Sequence, residues 1–414
     1  MNVEVVSAAA IPNFKTKSEE FFPIQWYRNM LEENPVFYHE ETNSWNVFGY
    51  NHVKKVLSDH KLFSSGGNRT IVQVGANNKE GSVPKKLRFL DMDPPQHQKY
   101  RSLVSAAFTP RSLTSWEPRI QQVITELVNK IEDKATNHSM IDIVESYAGP
   151  LPSMVMADIM GVPVEDSHLF KNWVDILFQP FNKENEEEVQ IQKQNAAKEY
   201  YQHIYPIVER KRLNPGDDII SDLISAEVEN EKFTDDEVVR TTMQLLGAGI
   251  ETTSHLISSA FYSMLYEDTS IYQQLKQDPE LVDNMVEEML RYRFHISKRH
   301  RNVKEDNDVL GVKMKKGDLV IAWMSAANVD GEVFENSYKL DITRKNNKKN
   351  LTFGIGPHFC LGAPLARMEA KIAFSTFIER FSEIRQEPSF TLEENLAPSA
   401  PGQSLIRLPL HVIR

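Results

Sequence analysis

Apolar residues recur at three- and four-residue spacing over 120–132, 198–212 and 281–292, which predicts helices with one face turned to a core. Thr234-Asp235-Asp236-Glu237 fits a capping box, so a further helix should begin there. No proline interrupts 238–266 and Glu251 is its only acid, so this helix should run for about 30 residues, or ~45 Å. Two apolar runs, 36–39 and 45–48, joined by a polar stretch, predict a β-hairpin. A second hairpin is expected from 309–314 and 319–324 around Lys315-Lys316-Gly317-Asp318. The class is mainly α with small β-sheets. The long, weakly periodic stretch 66–86 reads as a functional loop. Residues 170–181 suit either a lid with an apolar underside or an amphipathic helix packed on the core.

The chain has 414 residues, 41% hydrophobic and 25% charged, an ordinary globular balance. No repeat or linker divides it, so residues 1–414 are expected to form one domain. Lys and Arg number 47 against 58 Asp and Glu, a net charge of −11 that opposes binding to nucleic acid or anionic lipid. No run approaches the ~20 apolar residues of a membrane helix and the start lacks a secretory leader, so no membrane insertion and a cytoplasmic site are expected. Cys360 is the single cysteine, which excludes an intrachain disulfide and an all-thiolate zinc site within one chain.

A helix apolar on all sides is normally buried, and a lone buried carboxylate costs several kcal/mol unless it is paired or neutral. Glu251 therefore needs a reason. In Gly247-Ala248-Gly249-Ile250-Glu251-Thr252 two glycines open a gap in the helix surface one turn before an acid and a hydroxyl. A proton-handling site would relay through Glu251 while Thr252 hydrogen-bonds a bound oxygen. The plainer reading is a kinked core helix with Thr252 bonded to a carbonyl one turn back.

Residues 351–367 read LTFGIGPHFCLGAPLAR, with Gly354, Gly356 and Gly362 crowding Cys360 and a helical pattern following at 363–380. Cys360 should lie at a helix N-terminus, where free N–H groups favour a thiolate, the ligand that iron takes as a strong axial donor. An inert core cysteine or a nucleophile are the other options.

FGIGPHFCLG closely resembles the haem-ligand loop of the cytochromes P450. Ala248-Gly249-Ile250-Glu251-Thr252 resembles that family's oxygen-activating motif, and Glu288-Met289-Leu290-Arg291 its Glu-x-x-Arg pair. His97 and Arg101 match a propionate-binding His-x-x-x-Arg, while Arg301 and His358 fall where further propionate ligands are kept. The resemblance spans essentially the full chain and implies the P450 fold, haem b bound through Cys360, and Phe353 shielding the sulfur. It implies a monooxygenase that uses O2, with Thr252 and Glu251 delivering protons. With 414 residues the chain has no room for an appended reductase, so electrons should come from a separate ferredoxin-type donor. The basic stretch 344–349, with Lys345, Lys348 and Lys349, is placed to steer such an acidic partner, a solvated loop being the bland alternative.

TDDEVVRTTM, WMSAANVD and NNKKNLTFG resemble the steroid-hydroxylating P450s of Bacillus, which implies a hydrophobic substrate, a steroid or terpenoid. Candidate pocket residues are Ile71, Val72, Val74, Leu246, Ile250, Phe294, Ile296 and Leu405. Residues 294–301, FHISKRHR, are unexpectedly polar for a pocket wall. A fatty-acid hydroxylase, a peroxide-using peroxygenase and a non-enzymatic helical interaction protein are the alternatives.

Overall fold

The computed structural model describes residues 14–66, 89–134, 139–181, 184–399 and 402–414. Among these the helices are α1 (Lys17–Phe21), α2 (Ile24–Glu33), α3 (Tyr50–Ser58), α4 (Gln96–Ser105), α5 (Pro110–Lys134), α6 (Pro150–Met160), α7 (Ser167–Phe178), α8 (Glu186–Leu213), α9 (Ile219–Ser225), α10 (Asp235–Tyr266), α11 (Ser270–Gln277), α12 (Leu281–Tyr292), α13 (Met324–Ala327) and α14 (Ala363–Arg380). The strands are β1 (Val36–His39), β2 (Ser44–Val47), β3 (Phe63–Ser64), β4 (Ser139–Asp142), β5 (Glu227–Val228), β6 (Glu231–Lys232), β7 (Lys298–Val303), β8 (Leu319–Trp323), β9 (Glu383–Gln386), β10 (Leu396–Ser399), β11 (Gly402–Leu405) and β12 (Pro409–Ile413).

The largest sheet has the order β1-β2-β8-β7-β3. β1 and β2 form the expected hairpin, with Val36 opposite Val47, and β2 then pairs parallel to β8. The second hairpin differs from the sequence reading. β8 pairs with β7, Arg301 opposite Val320, while 309–314 contributes only the isolated bridge Asn307↔Met314. β7 reads KRHRNV, so the apolar signal lay on the wrong segment.

α10 runs unbroken for 32 residues, and its capping box is formed: the Glu237 N–H donates to Thr234 Oγ1 at 3.2 Å, and the Thr234 N–H to Glu237 Oε2 at 2.9 Å. α6, α7, α8 and α14 pack against it. A Cβ at Gly249 would lie 3.1 Å from Met156 Sδ, so the gap expected there is filled by a side chain of α6. α7 buries Phe170, Trp173, Val174, Leu177 and Phe178, which is the packed-helix alternative for 170–181, and Phe181 beyond its end is exposed. Apart from Gly66, the loop expected at 66–86 lies outside the described residues. No helix among the described residues is long and apolar enough to cross a membrane.

Candidate active site

Asn328 and α12 hold the start of the cysteine loop, and α12 also ties down the helix that follows it. The Leu351 N–H donates to Asn328 Oδ1 at 2.6 Å and Thr352 Oγ1 to the Leu290 carbonyl at 2.6 Å, while Arg367 beyond the cysteine pairs with Glu287. Within the loop the Cys360 N–H donates to the Phe353 carbonyl at 2.8 Å. The buried Phe353 ring lies under the Arg367 guanidinium at 4.6 Å. Gly356 has φ +77°, and a Cβ there would meet Ser58 Cα at 3.1 Å, so the loop can lie against α3 only with glycine.

Cys360 is exposed by surface area, yet it sits deep enough in the surrounding protein that desolvation raises its thiol above the usual range. The Gly362 and Ala363 N–H groups and the charges of Arg299 and Arg101 pull the other way. The donors expected at the helix N-terminus are present, but desolvation outweighs them and the free thiol is held neutral. A bound metal cation would supply the charge that makes it a thiolate.

Glu288 and Arg291 are not a surface pair. Both side chains are fully buried, with Arg291 Nε and Nη2 donating to the carboxylate at 2.9 and 2.7 Å. Arg344 Nε donates to the same carboxylate at 3.1 Å, which removes Arg344 from the basic stretch and leaves Lys345, Lys348 and Lys349 exposed. The Ser337 and Asn336 carbonyls accept from Arg291 and Arg344, so this segment closes the network.

A second cluster gathers near Cys360. His97 is fully buried, its ring 4.0 Å from that of His358, and neither His97 nitrogen nor His358 Nε2 has a hydrogen-bond partner among the described residues. Burial, then Arg101, lowers His97 to about 4, and burial, then His97, lowers His358 to about 3. Arg301 is buried, and burial with Arg299 alongside lowers it to about 10. Arg101 Nη2 donates to the Phe359 carbonyl at 2.6 Å. Among the described residues no carboxylate forms an ion pair with Arg101, Arg299 or Arg301, and nearby Asp93 is taken by Lys304. The buried Arg301 and the partly buried Arg101 and Arg299, none with a counter-ion among the described residues, together with both His97 nitrogens and His358 Nε2, fit a dianionic ligand, as the two propionates of haem b would be. The sequence reading missed Arg299. Its signal was the two-residue alternation with Arg301 along β7.

On α10, Ala248 is exposed mid-helix and Thr252 Oγ1 donates to its carbonyl at 2.7 Å. The back-bonded rotamer of the plainer reading is therefore present. Leu246 and Ile250 point the other way, 0% and 1% exposed in the core, and Leu405 is 4% exposed there. The partly open face of α10 is Leu245, Ala248, Gly249 and Thr252. Phe294 and Ile296 are half-buried, and Ile71, Val72 and Val74 lie outside the described residues. Glu251 Oε1 lies 3.4 Å from His295 Nε2, Oε2 has no partner among the described residues, and burial raises the carboxyl to about 7.

The cytochrome P450 family model matches residues 10–403. Cytochrome P450(MEG) of Priestia megaterium is 59% identical over 99% of both chains, and cytochrome P450(BM-1) of the same species 57% identical over 100% of both. CYP109E1 of Bacillus megaterium, solved in complex with corticosterone, superposes with a TM-score of 0.83 at 41% identity over 95% of this chain and 99% of that one. A complex of the same enzyme with testosterone gives 0.81 at 40% identity over 94% and 99%. Members of the matched family bind haem b through a cysteine thiolate. With that loop, the cationic cradle around it and these relatives in agreement, the chain belongs to the cytochrome P450 family of haem-thiolate monooxygenases.

Proposed function

We propose that this P450 hydroxylates unactivated C–H bonds of a steroid or terpenoid in the cytoplasm, with the whole chain acting as one domain and electrons arriving from a separate ferredoxin. The observation that carries the site assignment is the group of arginines without counter-ions beside Cys360, with both His97 nitrogens and His358 Nε2 unsatisfied among the described residues. In this reading Cys360 Sγ ligates the iron, and Arg101, Arg299, Arg301, His97 and His358 hold the propionates. Phe353 limits access of water to the sulfur, Gly354 at φ +71° lets the loop turn, Ala248 keeps the facing helix slim, and Gly249 beside it lets Met156 of α6 pack close. Bound there, haem b supplies reductive activation of O2 and transfer of one oxygen atom to carbon.

The residues of α10 move protons. Thr252 Oγ1 holds one, parked on the Ala248 carbonyl at rest, and is reloaded from the Glu251 carboxyl, whose pKa of about 7 balances donation against recharging at neutral pH. This acid–alcohol pair supports a monooxygenase over a peroxygenase. Steroid chemistry is supported by the CYP109E1 complexes with corticosterone and testosterone. Lys345, Lys348 and Lys349 form the basic face that steers the acidic donor.

A panel of steroids and fatty acids titrated for spin-state change, then assayed for hydroxylation with ferredoxin and O2, tests the reading. Steroid responses with ferredoxin-dependent product are expected. Responses confined to fatty acids, or product formed only from peroxide, overturn it.

A further inference from the structure

A cluster of side chains beneath Glu251 has no part in the reading above. His255 lies one turn after Glu251 on α10, and its ring stacks on His295, centroids 3.6 Å apart and planes 8° apart. His295 Nε2 faces Glu251 Oε1 at 3.4 Å and Ser399 Oγ at 3.3 Å, and Ser399 also hydrogen-bonds the Glu251 carboxyl. His255 Nε2 is held by Ser404 Oγ at 2.8 Å. Both rings also line a narrow cleft bounded by Glu20 and Phe21 of α1, Ser297 and Gln403. Gln403 donates to Glu20 at 2.7 Å, and Glu20 is half-exposed. The cleft offers about 40 Å³ to water centres, enough for about three waters at ~10–15 Å³ each.

We propose that His295 passes solvent protons from this cleft to Glu251, so that protons enter beside α1 and not through the substrate pocket. The proposal rests on the reading of Glu251 as the donor to Thr252 and supplies the step before it. The step needs no oxidant or reductant. His295 Nε2–H gives its proton to the Ser399 hydroxyl as that hydroxyl gives its own to the Glu251 carboxylate, while Nδ1 takes one from water, so the ring stays neutral and changes tautomer. His255 is a positioning residue that fixes the plane of the His295 ring.

The groups facing this pair are His255 on α10, Ser399 on β10, Ser404 on β11, and Lys171 with Asp175 on α7. The last two neutralise each other at 2.5 Å. Burial lowers His295 to about 3, which keeps the ring neutral and able to shuttle. The donor atoms of Glu251, His255 and His295 lie within 4.8 Å of one another, a spacing that also suits a transition metal. The stack argues against that use. A ligated ion lies in the plane of each imidazole, and two nearly parallel planes 3.6 Å apart share no such point.

The test follows hydrogen–deuterium exchange of the Glu251 carboxyl in the haem-loaded protein at pH 6. The carbonyl stretch is read by infrared after mixing with D2O and assigned by its loss in Glu251→Gln. In the parent protein exchange should be equally fast with and without saturating steroid. His295→Phe should slow it on the order of 10²-fold. Ser399→Ala, which deletes one hydroxyl, should slow it as well and carries the test if His295→Phe does not fold. Thr252→Ala should leave exchange unchanged, which separates failure here from failure of the Thr252 step. Exchange blocked by steroid in the parent, or as fast as the parent in either slowed variant, overturns the proposal.

Discussion

Glu288→Gln keeps the shape of the side chain at the centre of the buried network and removes its charge. In the parent the carboxylate accepts from Arg291 Nε at 2.9 Å, Arg291 Nη2 at 2.7 Å, Arg344 Nε at 3.1 Å and the Asp341 N–H at 3.0 Å. A glutamine oxygen at the Oε1 position keeps Arg291 Nη2, Arg344 Nε and the Asp341 N–H, but its NH2 then meets Arg291 Nε, so at least one charge-assisted bond is lost at ~1.5–3 kcal/mol and the remaining ones lose the carboxylate charge. Both guanidiniums stay buried, Arg291 1% and Arg344 7% exposed, so the variant should be less stable by about 3–5 kcal/mol. Urea unfolding followed by far-ultraviolet circular dichroism, compared at equal slope, reads the loss. Because Asn328, an acceptor of Arg291 through its carbonyl, also holds Leu351, haem should dissociate at lower urea as well. A loss below ~1 kcal/mol, the value of an exposed pair, would refute the argument that the network fastens the cysteine loop.

Thr252→Ala should change stability by less than ~0.5 kcal/mol, since the hydroxyl only back-bonds within its helix, while diverting reducing equivalents into peroxide; unchanged coupling removes its proton role. The Glu251 carboxyl titrates at about 7 when folded against a usual 4.5, so it penalises the folded state as pH rises. The penalty is absent below about pH 4.5 and complete above about 7, on the order of 3 kcal/mol. Glu251→Gln should therefore gain stability over the parent at pH 8 and not at pH 4.5, and a pH-independent difference in melting contradicts the burial argument. Gly356→Ala forces a side chain into φ +77° against the α3 backbone and should cost ~1–3 kcal/mol, read as faster haem loss. Replacing Lys345, Lys348 and Lys349 by Glu should slow reduction by an acidic ferredoxin about tenfold at low salt and by little at high salt; equal rates locate the donor elsewhere.

How far the sequence reached depended on whether the signal was local. The helices at 281–292 and 363–380 and the capping box at Thr234 were legible because periodicity and capping act within a few residues. β7 was hidden because the strand that faces the haem-binding space carries Arg299 and Arg301 where a core strand would carry valine. The unexpected polarity of 294–301 was a true observation whose reason is spatial: His295 meets Glu251, and the arginines approach Cys360. Ala248 and Thr252 on the open face of α10 could not be told from the buried Leu246 and Ile250 by pattern, because a helix apolar all round does not reveal which face is open. Arg344 read as surface charge because its partner Glu288 lies 56 residues away in sequence.

The central claim is that Cys360 Sγ binds haem iron in this chain, and the absorption spectrum of the reduced protein with carbon monoxide tests it most directly. The parent should give the strongly red-shifted Soret band of thiolate ligation, and Cys360→His should retain haem and lose that band. A parent spectrum without the shifted band, or a Cys360→His spectrum that matches the parent, would contradict the account.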